Sequence, residues 1–258
     1  MHLRQWVGAA VLATASVAAA GGQPPPRVLL VRPSGPEVPV NLLRISIEFA
    51  APIEGPVLRR IALLRADGTP LPEPFLDQEL WSPSGKALTI LLHPGRVKSG
   101  LLAREERGPV LFEGEHVTLA LDGRPLRRWS VVRADETGPV ATAWKVPDVR
   151  AASRQRLVVT LDAPIDGRDA DHLAIADASG LRVAGRARLT NGEVLWTFTP
   201  NEPWRAGTHR LVIRGTLEDP AGNRPASPFE TGIDSRPGPA VDVSISFAAR
   251  SMGPRPAH

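Results

Sequence analysis

The stretch Arg44-Ile-Ser-Ile-Glu-Phe-Ala-Ala-Pro-Ile-Glu-Gly55 returns further along the chain as Arg156-Leu-Val-Val-Thr-Leu-Asp-Ala-Pro-Ile-Asp-Gly167. In both copies apolar and polar residues alternate, then Ala-Pro-Ile leads into an acid and a glycine. Alternation with period two marks a strand with one buried face. In the first copy Ile45, Ile47 and Phe49 form the apolar face and Arg44, Ser46 and Glu48 the polar one. A strand-and-turn unit that recurs in this way implies one small β-module used twice.

The surrounding sequence supports that unit. In the first module, residues 27–137, strands are expected at Val28–Val31, Leu43–Phe49, Ile61–Leu64, Leu88–Leu92, His116–Leu121 and Trp129–Val132. In the second, residues 138–236, they are expected at Leu157–Leu161, Leu173–Ala176, Val194–Thr199, Arg205–Ile213 and Pro228–Thr231. Gly207 is matched with Gly114, and His209 with His116. Asp135-Glu-Thr-Gly-Pro139 reads as a short linker. Outside the first residues no segment has helical periodicity over ten or more positions. Pro 27 and Gly 23 supply dense turn signals. The expected class is all-β, two tandem immunoglobulin-like sandwiches.

The chain opens with Met1-His-Leu-Arg4, an apolar run over Val7–Ala20 and then Gly21-Gly-Gln-Pro-Pro-Pro26. This is the pattern of a cleaved signal peptide over residues 1–20, with Ala18–Ala20 as the exit. The run is shorter than the roughly 20 residues a bilayer span needs, and no transmembrane segment is expected in the mature chain. The expected location is exported: periplasm, cell surface or medium. With Cys 0, disulfides and thiolate metal sites are excluded.

Net charge is +4. Lysine occurs at Lys86, Lys98 and Lys145, and the other cations are arginines interleaved with acids. No basic stripe with interleaved aromatics is present, so nucleic acid is not an expected partner. Neither Gly-x-Ser-x-Gly nor His-Glu-x-x-His occurs. Ser84-Gly-Lys86 lacks the rest of a phosphate loop and reads as a hairpin turn. His116 and His209 are expected to fill half-buried structural positions, while His93 and His172 sit at strand ends. No three-ligand zinc spacing is present. Asp162, Asp166, Asp169 and Asp171 cluster in one loop. Calcium takes about 6–8 oxygens and favours such clusters. However, Arg168 intrudes and EF-hand spacing is missing, so a solvated turn is the expected role. No cofactor is implied and no catalytic residue is selected, so the chain is read as not an enzyme.

The copies differ most in one loop, 94–112, whose counterpart is only Pro200–Arg205. Its Arg96, Lys98, Arg104 and Arg107 are the candidate binding residues, and an envelope protein or glycan is the expected partner. The competing expectation is a self-packed loop covering a sandwich edge. The tail, 237–258, carries an alternating stretch at 241–247. That stretch is expected to pair as an edge strand of this chain, or else to add to a partner's sheet.

The second module resembles the bacterial immunoglobulin-like domain of S-layer and other cell-surface proteins. The likeness rests on Ala163–Asp166, Thr199-Pro200, the Asp219–Asn223 turn and Phe229–Thr231, with His209 where the family usually has Tyr. In the first module Val38–Arg44, Glu79–Gly85 and Pro94–Leu101 resemble a group of exported bacterial proteins with no assigned activity. The resemblance implies the sandwich fold and an external location, and it brings no catalytic residues. The expected function is a non-enzymatic structural or binding protein of the cell envelope. The alternative is a carbohydrate-binding or accessory module of a polysaccharide-processing system, using exposed Trp81, Trp144 or Trp204.

Overall fold

The computed structural model describes residues 26–98, 101–225 and 240–251. The expected signal peptide and the expected strand Pro228–Thr231 lie outside these residues. In chain order the first half gives β1 (Val28–Arg32), β2 (Glu37–Pro39), β3 (Arg44–Phe49), β4 (Ile61–Leu64), β5 (Leu80–Trp81) and β6 (Ala87–Leu91). Two short helices follow, α1 (Pro94–Val97) and α2 (Leu102–Arg107), then β7 (His116–Leu121) and β8 (Arg124–Val132). The second half gives β9 (Val149–Arg150), β10 (Leu157–Thr160), β11 (Leu173–Ala176), β12 (Gly185–Thr190), β13 (Leu195–Pro200), β14 (Gly207–Ile213) and β15 (Val243–Arg250).

These strands form two sandwiches. In the first, the sheet β1-β3-β6-β5 faces the sheet β2-β8-β7-β4. In the second, β10-β13-β12 faces β11-β14-β15-β9. The orders correspond element by element, with β3 standing where β10 stands and β8 where β15 stands. β2 pairs with β8 in parallel, as β9 does with β15. The place of β1 is taken in the second sandwich by an isolated bridge from Lys145 to Thr160. The chain is therefore all-β, built as immunoglobulin-like sandwiches.

Each sandwich closes on its own core. Ile45, Ile47 and Phe49 of β3 pack with Leu88 and Ile90 of β6, Leu119 of β7 and Trp129 of β8. The second core joins Leu157, Val159, Ile175, Trp196, Leu211 and Phe247. Burying each such side chain contributes about 1.5–3 kcal/mol, and in a chain without disulfides these cores carry the fold.

Two expectations are corrected here. The tail strand β15 is not an edge strand. It lies between β14 and β9, and its Phe247 and Ala249 belong to the second core. The matching of His209 with His116 is one residue out of register. β14 pairs Ile213 with Leu173, and β7 pairs Leu121 with Ile61, so His209 occupies the place of Val117. A slip of one residue turns a side chain to the other face, and His116 is exposed while His209 is buried. Loop 94–112 contains the two short helices. A proline starts α1, where its missing N–H costs nothing, and Gly108, at φ 73°, ends α2.

Candidate functional site

The densest cluster of buried polar groups lies between the two sandwiches. Arg44 begins β3 with its guanidinium directed at the second module. Its Nη1 is 2.8 Å from Asp166 and 2.6 Å from Glu218. Arg44, expected on the solvent face of its strand, is buried because the second module covers it. Burial opposes its charge, but Asp166 and Glu218 outweigh that and hold its pKa above the ordinary arginine value.

A second pair sits nearby. Arg32 ends β1 and donates to Glu193 at 2.7 Å, and the Ser34 amide and hydroxyl donate to the same carboxylate at 2.7 and 2.6 Å. Glu193 is 1% exposed, so its charge is fully committed. The turn that aims it, Asn191-Gly192-Glu193, has positive φ at all three residues. Gly192 comes so close to Gly35 of the first module that a Cβ on it would sit 3.1 Å from the Gly35 Cα.

The linker is clamped as well. The Asn41 amide donates to the Asp135 carbonyl at 2.7 Å and accepts from the Asp135 N–H at 2.9 Å. From the other module the Asn223 amide donates to the same carbonyl at 2.9 Å. Asn223 is held by Asp219, whose carboxylate also accepts the N–H groups of Ala221 and Asn223. The backbone closes the contact where the Leu43 N–H donates to the Pro220 carbonyl at 2.9 Å. Burial raises Asp219 to about 7, against those three donors. Asp169 is also raised, first by burial and then by the neighbouring charge of Asp166. Beside this network opens a cleft of about 670 Å³ lined by Glu37, Pro39, Arg133, Asp135, Pro164 and Pro220, among others.

The acid cluster of the second module is divided: Asp166 and Asp169 are buried in the junction, against the expected solvated turn, while Asp162 and Asp171 are exposed. Asp166 faces Arg44, and Asp169 accepts from the Glu218 N–H and sits 3.1 Å from His172. Asp162 accepts from the Trp144 indole and the Val140 N–H. Asp171 is exposed. Among the described residues no three His, Asp or Glu side chains converge as a metal site would require.

The four candidate binding residues do not form one exposed patch. Arg96 is buried and donates to the carbonyls of Pro72, Glu73, Gly108 and Pro109. Arg104 donates to the carbonyls of Arg96 and Val97. Arg107 is exposed and pairs with Glu73 at 2.7 Å. Lys98 is half-buried after α1. Among the described residues the three candidate tryptophans form no exposed row: Trp144 and Trp204 are buried and Trp81 is half-buried, each with its indole N–H donated to a protein oxygen.

Sequence reasoning missed the junction. Arg44 and Asp166 lie inside the repeated stretch, but nothing in a repeat tells that one copy's arginine meets the other copy's acid. Glu193 gave no signal beyond the Asn-Gly turn before it. Asp219 and Asn223 were legible as a turn but not as a contact.

The site defines a class: an all-β chain of two immunoglobulin-like sandwiches joined by a buried polar junction. No family model and no curated protein matches the chain. Among solved structures it is similar to PcoC, a methionine-rich copper resistance protein from Escherichia coli. That match has 14% identity and a TM-score of 0.28, and covers 43% of this chain and 98% of that one. It is similar also to domains 5–6 of the S-layer protein SbsC, at 13% identity and TM-score 0.24, covering 88% and 100%. A three-Ig segment of titin matches at 12% identity and TM-score 0.26, covering 88% and 66%. Scores this low fix neither a family nor an activity. Among the described residues no helix is long and apolar enough to cross a membrane.

Proposed function

We propose that this is an exported, non-enzymatic structural or binding protein of the bacterial cell envelope, its two sandwiches working as one stiff unit. The observation that supports this reading is the commitment of the junction's charges. Glu193, Asp166 and Glu218 each hold an arginine of the chain, and Asp135 is clamped by an asparagine from each module. A carboxylate spent in this way is not free to move a proton for a substrate, whereas buried ion pairs and a clamped linker fix one orientation between domains that would otherwise move. Export rests on the n-region, apolar run and Ala18–Ala20 exit of residues 1–20.

The test is expression of the full chain with a C-terminal tag in a bacterial host, followed by fractionation and N-terminal sequencing. A product beginning at Gly21 outside the cytoplasm is expected. A chain retained in the cytoplasm with Met1 intact would overturn export. Binding is tested by immobilising the mature protein from Gly21 and exposing it to solubilised envelope proteins and, separately, to envelope glycans.

A further inference from the structure

The outward face of the sheet β10-β13-β12 is a cationic surface. Along β12 the inward residues are Ala187 and Leu189, which leaves Arg186, Arg188 and Thr190 outward. Register fixes their neighbours. Arg186 lies across from Thr199 of β13 and Arg188 across from Thr197. On the far side of β13, Thr197 faces Val158 of β10, and exposed Arg156 continues that strand's alternation by one residue to stand beside Thr199. In the third row Thr160 bridges to Lys145, which is exposed.

Arg156 and Arg186 therefore flank a threonine across two strand spacings, about 10 Å, and Arg186 and Arg188 are about 7 Å apart along their strand. None of Lys145, Arg156, Arg186 and Arg188 has an ion-pair partner among the described residues, unlike the arginines of the junction. No Asp or Glu stands on the three strands' outward positions. The nearest acids in sequence are Glu193, held by Arg32, Asp162, which accepts from the neutral Trp144 indole and Val140 N–H, and Glu202, exposed beyond the end of β13. Four cations without an ion-pair partner on one face are a liability unless something of opposite charge meets them. The guanidinium fork matches phosphate oxygens bidentately, and the Thr199 hydroxyl between Arg156 and Arg186 adds a donor, whereas Thr197 donates its own to the Arg188 carbonyl.

We infer that this face binds an extended polyanion bearing phosphate groups, laid across the strands from Lys145 toward Arg186. The face carries no aromatic side chain, so nucleic-acid bases would have nothing to stack on, and it carries no apolar anchor for a bilayer beyond Val158 and Leu195. The inference rests on the binding reading above for its purpose but not for its test, since export and polyanion binding are measured separately and either can fail alone.

The experiment titrates the mature protein into fluorescently labelled inorganic polyphosphate, read by anisotropy over a salt series. The variant Lys145→Gln, Arg156→Gln, Arg186→Gln, Arg188→Gln should weaken binding about ten-fold or more and flatten the salt dependence, because fewer counterions are then released. The comparison variant Arg27→Gln, Arg59→Gln, Arg124→Gln, Arg128→Gln removes the same charge from exposed positions of the first module and should bind like the parent. Equal weakening by both variants would reduce the effect to net charge and overturn the assignment. So would absence of binding by the parent, tighter binding to single-stranded DNA, or tighter binding to anionic phospholipid vesicles. All substituted side chains are exposed, and thermal melting of each variant verifies that the fold is intact.

Discussion

Arg44 Nη1 lies 2.8 Å from Asp166 Oδ2, so the residue that opens the repeated stretch in one module is held by the acid that nearly closes it in the other. The reciprocal positions, Arg156 and Glu54, are exposed. The repeat supplied matching residue types, and only the packing of one sandwich on the other made two of them partners. Because Arg44 also reaches Glu218, its loss takes the buried cation from two acids and leaves them only the more exposed Arg168, 3.4 Å from Asp166, and Arg224, 3.1 Å from Glu218. Arg44→Met is expected to destabilise the chain by about 3–5 kcal/mol, as removal of one partner of a buried pair does. Combining it with Asp166→Asn and Glu218→Gln should recover part of that loss. Urea unfolding of the three proteins checks this, and a triple variant no more stable than Arg44→Met would show that charge is not what holds the junction.

Gly55 and Gly167 close the two copies of the repeated stretch for different reasons. Gly55 has φ 76° with open space around it. Gly167 has ordinary backbone but no room, since a Cβ there would lie 1.9 Å from the Arg32 Cδ, and Arg32 is pinned on Glu193. Gly55→Ala should cost roughly 1–2 kcal/mol through backbone conformation alone. Gly167→Ala should cost about 1–3 kcal/mol by displacing Arg32, and Arg32→Ala in the same chain should remove most of that additional cost. Additive losses in the Gly167→Ala, Arg32→Ala double variant would mean the two residues are not in contact.

Strand positions were readable where alternation was strong, as at Arg44–Phe49 and Leu157–Thr160, because a half-buried strand writes its period into the sequence. The two-residue strands Leu80–Trp81 and Val149–Arg150 are too short to show a period. β12 was missed because its outward arginines and inward Ala187 and Leu189 lie among Gly and Thr without a continuous apolar face. Arg96 read as a surface cation because charge predicts exposure. Its burial depends on four carbonyls brought together by Pro72, Glu73, Gly108 and Pro109, a convergence that composition does not encode. The junction was illegible for the same reason.

The register of the two histidines gives a sharp contrast. His209 packs edge-on against Trp204 at 5.2 Å and stacks on Phe247 at 5.6 Å. His209→Ala removes a buried ring and should cost about 2–5 kcal/mol. His116→Ala touches an exposed side chain and should stay within about 0.5 kcal/mol of the parent. Equivalent losses at the two positions, measured by chemical unfolding, would restore the alignment of His116 with His209.

Asp219 makes stability depend on pH in an unusual direction. Burial raises its folded pKa to about 7, whereas unfolded aspartate titrates near 4. Between these values the folded chain holds a proton that the unfolded chain has released, so this group's contribution falls as pH rises, by about 1.4 kcal/mol per unit at most. Asp169 is shifted upward also and acts in the same sense. Unfolding free energy should therefore decline from pH 5 to pH 7. Asp219→Asn keeps one acceptor oxygen for the Ala221 and Asn223 N–H groups but sets an amide against the Asn223 amide, so the variant should be less stable at pH 5. The informative quantity is the slope, which should flatten in the variant toward the part that Asp169 retains. A slope unchanged by the substitution would mean that Asp219 is ionised throughout, its charge held by the three N–H donors of its turn.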